Sequence, residues 1–67
     1  MRCEFGVVKK IWIDDKKVVL IHDPAFWETA YNLQLQLQQE GFDVVRLNTG
    51  VEEDRREAER LLDQCFE

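Results

Sequence analysis

Serine is absent from this chain, and histidine occurs once, at His22. A serine nucleophile is therefore excluded, and any base-activated nucleophile would depend on that one imidazole. Glycine is present at three scattered positions, Gly6, Gly41 and Gly50, so there is no glycine-rich phosphate cradle. Two cysteines, Cys3 and Cys65, form neither a CxxC pair nor a disulfide framework. With a single histidine beside them, a structural zinc site is excluded as well, and no cofactor is expected. No apolar run approaches the ~18 residues needed to span a membrane, and no signal peptide is visible. These absences place the chain in the cytoplasm, with no membrane partner.

What is present is compositionally globular: 45% of the 67 residues are apolar and 34% charged, which argues against disorder. The length suits one domain, residues 1–67. A chain this short buries only ~60% of its unfolded surface, so its core is marginal unless something else contributes. Charge is uneven. Residues 1–22 carry five basic side chains against three acidic, and residues 23–67 carry four against eleven, for a net charge of −5. An acidic chain of this kind does not fit direct nucleic-acid binding, which relies on Lys and Arg. The lysines at 9, 10, 16 and 17 read as solvated strand and turn residues that discourage edge pairing.

The organising stretch is residues 18–48. Val18-Val19-Leu20-Ile21 is a short β-branched run, as expected of a strand covered on at least one face. It stops at His22-Asp23-Pro24, where Asp23 can cap a helix and Pro24 suits its first position. The helix then runs from about Pro24 to Glu40 and closes at Gly41, the residue best able to take a left-handed conformation. Phe42 to Leu47 resumes the strand pattern, and a helix of this length makes the two strands parallel. Leu33-Gln34-Leu35-Gln36-Leu37-Gln38 also alternates with period two, the pattern of a strand. Good helix formers and signals at both ends favour the helix.

Upstream, Cys3 to Ile13 reads as one long strand, with Cys3, Phe5, Val7, Ile11 and Ile13 on one face. Glu4, Gly6, Val8, Lys10 and Trp12 fall on the other, and the lysine pair at 9–10 marks the place for a bulge. Asp14-Asp15-Lys16-Lys17 is a tight polar turn. Downstream, Thr49-Gly50-Val51-Glu52 matches a capping box, with Thr49 as cap and Glu52 reaching back. Val51, Ala58, Leu62 and Cys65 form the apolar stripe of the second helix, flanked by Leu61 and Phe66. The expected fold is an α/β, α+β-like mini-domain: ββαβα, a three-stranded mixed sheet in the order 1-2-3 with two helices. Right-handed connections allow both helices to share one face, leaving Trp12 and Val8 open on the other. Cys3 and Cys65 then lie at opposite ends of the sheet and read as free buried thiols.

Two sites compete for function. On the first helix, Phe26, Ala30, Leu33 and Leu37 form a stripe for the sheet. Trp27, Tyr31 and Leu35 form a second stripe well over 100° away, which one sheet cannot readily bury. Either the second helix covers it, or it is a partner surface with Trp12 next in line. This favours a non-enzymatic protein–protein interaction module, a small acidic regulator or inhibitor acting through an apolar helix face, with a homodimer as one form. The alternative is a small-ligand or phosphate site beyond the carboxyl ends of the parallel strands, where His22, Asp23, Asn48 and Thr49 would meet. The element order there loosely resembles pieces of thioredoxin-like and flavodoxin-like domains. A thioredoxin-type helix would begin with CxxC, however, where this chain has His22-Asp23-Pro24-Ala25, so the resemblance carries no activity over.

Overall fold

The computed structural model describes residues 1–66. Four strands form one mixed sheet: β1 (Arg2–Glu4), β2 (Lys9–Trp12), β3 (Lys17–His22) and β4 (Asp43–Asn48), in the order β1-β2-β3-β4. The helices are α1 (Trp27–Gln39), preceded by a 3-10 turn at Pro24–Phe26, and α2 (Glu52–Cys65). The class is as expected, with one strand more. The segment read as a single strand folds back at Phe5–Val8, so that Arg2 faces Trp12, Cys3 faces Ile11 and Glu4 faces Lys10. Opposite charges meet at Glu4 and Lys10, and Arg2 lies 5.2 Å from the centroid of the Trp12 ring. Lys9 and Lys10 pair in regular register with Ile21 and Leu20, so the bulge expected there is absent.

The second correction concerns layers. The helices cover opposite faces of the sheet. Val18 and Leu20 pack with Ala30, Leu37 and Val44 under α1, while Val19 and Ile21 pack with Ile11, Leu47, Ala58 and Leu61 under α2. The cause lies in β3. Val18, Val19, Leu20 and Ile21 are all buried, and consecutive strand residues point to opposite faces, so a continuous apolar run needs cover on both. Trp12 and Val8 consequently sit beneath the α1 side of the core instead of lining an open face.

The third correction follows from the first. Cys3 and Cys65 form a disulfide, with Cα atoms 6.2 Å apart. Because β1 returns alongside β2, Cys3 lies opposite Ile11 on the α2 face, within reach of the last turn of α2. Phe5 and Phe66 stack beside it with ring centroids 5.7 Å apart.

The turns behave largely as read. Gly41 takes φ 96°, its N–H bonds to the Gln38 carbonyl, and the Phe42 N–H bonds to the Leu37 carbonyl. That paired pattern is a Schellman closure, sealed by Phe42 and Leu37 on the same core cluster. The Asp14 carboxylate accepts the backbone N–H groups of Lys16 and Lys17 at 2.7 and 2.9 Å, fixing the β2–β3 turn. These contacts hold the Asp14 carboxyl below its ordinary value, the Lys16 bond most strongly. No helix among the described residues is long and apolar enough to cross a membrane.

Candidate functional site

The carboxyl ends of β3 and β4 do bring His22, Asp23, Asn48 and Thr49 together. Parallel register places His22 opposite Asn48, and the Thr49 N–H bonds to the His22 carbonyl at 2.9 Å. Their polar groups, however, already have partners within the chain. The Thr49 hydroxyl donates to the Asp23 carboxylate at 2.6 Å, and the Asn48 side-chain oxygen accepts the Gly50 N–H at 2.8 Å. Neither expected cap forms: Asp23 makes no side-chain cap bond, and α2 starts from Val51 instead of Thr49. The reason is register. Asp23 and Thr49 each follow the last residue of adjacent parallel strands, so their side chains meet before either can turn to its own helix. Asp54 takes over part of the task, its carboxylate accepting the Asn48 N–H at 3.1 Å.

His22 is only 2% exposed and held at both ring nitrogens. Nδ1 lies 2.8 Å from the Asp23 carbonyl oxygen, and Nε2 lies 3.3 Å from Nη1 of Arg46. A guanidinium can only donate, so Nε2 must accept and the ring proton sits on Nδ1, donated to the Asp23 carbonyl. An imidazole packed in this way has no lone pair to offer a substrate. The cluster acts as a clasp between two strand ends.

The first-helix stripe has the opposite character. Trp27, Tyr31 and Leu35 are 55%, 42% and 40% exposed, although each is large and apolar. Ala30 and Leu37 are buried and Leu33 is packed beside them, so the sheet-facing stripe lies where its periodicity places it; only Phe26, in the 3-10 turn, is left at the surface. Since α2 is on the far side of the sheet, it cannot cover the second stripe. Arg46 was not singled out from the sequence, and it sets the orientation of this face. Its Nε donates to Gln34 at 3.0 Å, and its guanidinium carbon lies 5.9 Å from the Tyr31 ring centroid. The Trp27–Tyr31–Leu35 flank of α1 therefore leans over β4, and Arg46 ties the exposed stripe to buried His22. Its signal in the sequence was its place in the β4 pattern Val44-Val45-Arg46-Leu47, a long cation in an otherwise apolar strand.

Trp12 does not join this surface. It is half-buried on β2, edge-on to Phe42 at 5.2 Å, with its indole N–H donated to Glu4 at 2.7 Å. That bond is the main cause of a Glu4 carboxyl held below its ordinary value, with the charges of Arg2 and Lys10 adding to it. A cavity of 440 Å³ opens beside Trp12, Phe42, Arg2 and Ile13, and a smaller one of 180 Å³ lies on the α2 face of β3 and β4, between Lys17, Val19, Val45, Leu47, Leu61 and Glu57. No protein-family model, no curated protein and no solved structure matches this chain.

Proposed function

We propose that this protein is a non-enzymatic binding module that engages another protein through the outer flank of α1, with Trp27, Tyr31 and Leu35 as anchors. The observation that carries the reading is the exposure of these three residues, one helical turn apart, on a helix whose other polar neighbours are mostly uncharged glutamines. Aromatic side chains with a polar handle are the usual anchors of interfaces. The flank offers roughly 300 Å² of side chain, taking ~150–250 Å² for each aromatic. A standard interface needs ~800 Å² on each partner, so the flank is the centre of a contact and adjoining surface must complete it.

A small acidic regulator or inhibitor, possessing either a foreign partner or a second copy of itself, fits this arrangement. The competing ligand site loses ground because His22, Asp23, Asn48 and Thr49 already have hydrogen-bond partners within the chain. The compartment forms part of the same proposal. A cytoplasmic chain would keep its thiols reduced, and the Cys3–Cys65 bond fits an oxidising one. Intact mass after thiol blocking at harvest decides between them.

The test is quantitative affinity capture with cross-linking, comparing wild type, Leu35→Glu and His22→Ala, alongside molar mass by light scattering over a wide concentration range. Leu35→Glu should remove the captured partner, or the dimer, while leaving the circular dichroism spectrum intact. Capture unaffected by Leu35→Glu and lost in His22→Ala would reverse the assignment.

A further inference from the structure

The interaction surface extends past α1 onto the open edge of β4, and the two together describe a particular kind of partner. β4 is the last strand of the sheet. Its Asp43 N–H bonds to the Lys16 carbonyl and Thr49 N–H to the His22 carbonyl, so the odd-numbered residues between them face β3. The N–H and C=O groups of Val44 and Arg46 therefore point away from the sheet. At Asn48 the outward N–H is already taken by Asp54. The opposite edge, β1, is three residues long and carries Arg2 and Glu4, the ordinary protection of an edge strand. β4 has six residues, three of them apolar (Val44, Val45 and Leu47).

The two flanks of that edge differ in chemistry. On the α1 side stand Tyr31 and Leu35, both exposed. On the α2 side, Val45 and Leu47 border the 180 Å³ cleft lined also by Lys17 and by Glu57, whose carboxylate is held by exposed Arg60, and Asp54 accepts the Asn48 N–H at the end of the strand. A strand added to β4 would send alternate side chains to these two sides.

We propose that β4 accepts an extended segment of a different protein, in which large apolar residues alternate with basic ones. The apolar set lies against Trp27, Tyr31 and Leu35; the basic set meets Asp54 and Glu57, displacing exposed Arg60 from the Glu57 carboxylate, and is favoured by the net charge of −5. This rests on the reading of the α1 flank as a partner surface and names the partner's chemistry. A second copy fits less well. Antiparallel pairing of two β4 strands about Val45 would set Asp43 of one against Leu47 of the other, which brings that carboxylate toward Asp54 and Glu57. A register about Arg46 would set two arginines opposite each other. The net charge of −5 on each copy adds to the mismatch.

The probe is a labelled, end-blocked heptapeptide of alternating lysine and valine with a central phenylalanine. Two controls accompany it: the same peptide with glutamate for lysine, and one of identical composition with the alternation scrambled. Binding is read by fluorescence anisotropy near physiological salt, and amide hydrogen exchange is read residue by residue. The alternating peptide should bind at least about tenfold more tightly than either control, and Glu57→Lys and Leu35→Glu should each erase that preference. The Val44 and Arg46 amides should exchange quickly in the free protein and slow on binding, while Val45 and Leu47 are slow throughout. Trp27→Ser serves in place of Leu35→Glu if that variant is unfolded.

Binding that vanishes in Leu35→Glu yet leaves the Val44 and Arg46 amides fast would keep the helix-face reading and overturn strand addition. Equal binding of the scrambled or glutamate peptide, or none of the alternating one, overturns the proposed partner chemistry. Protection of Val44 and Arg46 in the peptide-free protein, rising with its concentration, would show a second copy on the edge and overturn it too.

Discussion

Reduction of the Cys3–Cys65 bond is the perturbation with the largest expected effect on the fold. The bridge joins residues 62 apart, almost the whole chain. In the chain-entropy treatment, releasing a loop of that length returns ~14 cal/mol/K to the denatured state, or about 4 kcal/mol near 25 °C. A domain of this size has ~3–10 kcal/mol to lose in total. Each kcal/mol moves the melting temperature of such a domain by ~4–8 °C, so the midpoint should fall by about 15–30 °C. The effect should be felt first in α2. Ala58 and Leu61 are its only buried residues among those described, and its last turn is tied to β1 through the disulfide beside the exposed Phe5–Phe66 stack. Thermal and urea unfolding, followed by far-ultraviolet circular dichroism with and without a phosphine reductant, measures it. The doubly substituted protein Cys3→Ala, Cys65→Ala should match the reduced wild type and ignore the reductant. A midpoint shift under ~5 °C would refute the reasoning, because the denatured chain would then gain little freedom from opening the loop.

Other expectations can be checked with the same methods. Gly50→Ala would set a Cβ into the Pro24 ring and close to the Asn48 side-chain oxygen, so it should cost about 1–3 kcal/mol by urea unfolding, and Gly6→Ala, whose Cβ meets only the Val8 carbonyl oxygen at 3.9 Å, much less. Glu4 and Asp14 both titrate below their ordinary values of 4.5 and 3.8 in the folded chain. Their contribution to stability is complete above those values and is lost as pH falls through the depressed folded ones. Carbon-detected NMR titration should show Trp12→Phe returning Glu4 upward, with Asp14 unmoved because its partners are the Lys16 and Lys17 amides.

The parts of the fold legible in the sequence are those governed by local chemistry. The Schellman closure at Gly41, the Asp14 turn and the sheet-facing stripe of α1 all follow from residues close together in the chain. Face parity in the N-terminal segment also survived, with Cys3 and Ile11 on one side and Glu4 and Trp12 on the other, because the reversal at Phe5–Val8 keeps even and odd positions in step. The reversal itself was hidden by Phe5, Val7 and Val8, which continue the strand composition straight through Gly6. That single miss carried Cys3 away from its place opposite Ile11 and concealed the disulfide. The placement of the helices was in fact written in β3, whose four consecutive buried apolar residues require two covered faces. The site was legible as a list of residues and illegible as chemistry. Asp23 and Thr49 each carried a sufficient local explanation as caps, and the bond between them depends on a strand pairing 26 residues apart in sequence.

Both functional proposals stand on α1 being a helix with two distinct faces, and neighbouring leucines test that directly. Leu35 and Leu37 are identical side chains two residues apart, one 40% exposed and the other 7%. On a strand they would share a face and respond alike; on a helix they lie about 200° apart. Truncating a buried leucine costs ~2–5 kcal/mol, and replacing it with a carboxylate adds the penalty of burying a charge. Leu37→Glu should therefore remove most of the stability of a 67-residue domain. Leu35→Glu should stay within about 0.5–1 kcal/mol of wild type, as surface substitutions generally do. Urea midpoints at equal slope give both values without an assumption about any partner. If Leu35→Glu lost as much as Leu37→Glu, the Trp27–Tyr31–Leu35 flank would be part of the core. It would then be unavailable to any partner, and the β4 edge would lose the apolar wall that gives its proposed ligand an alternating pattern.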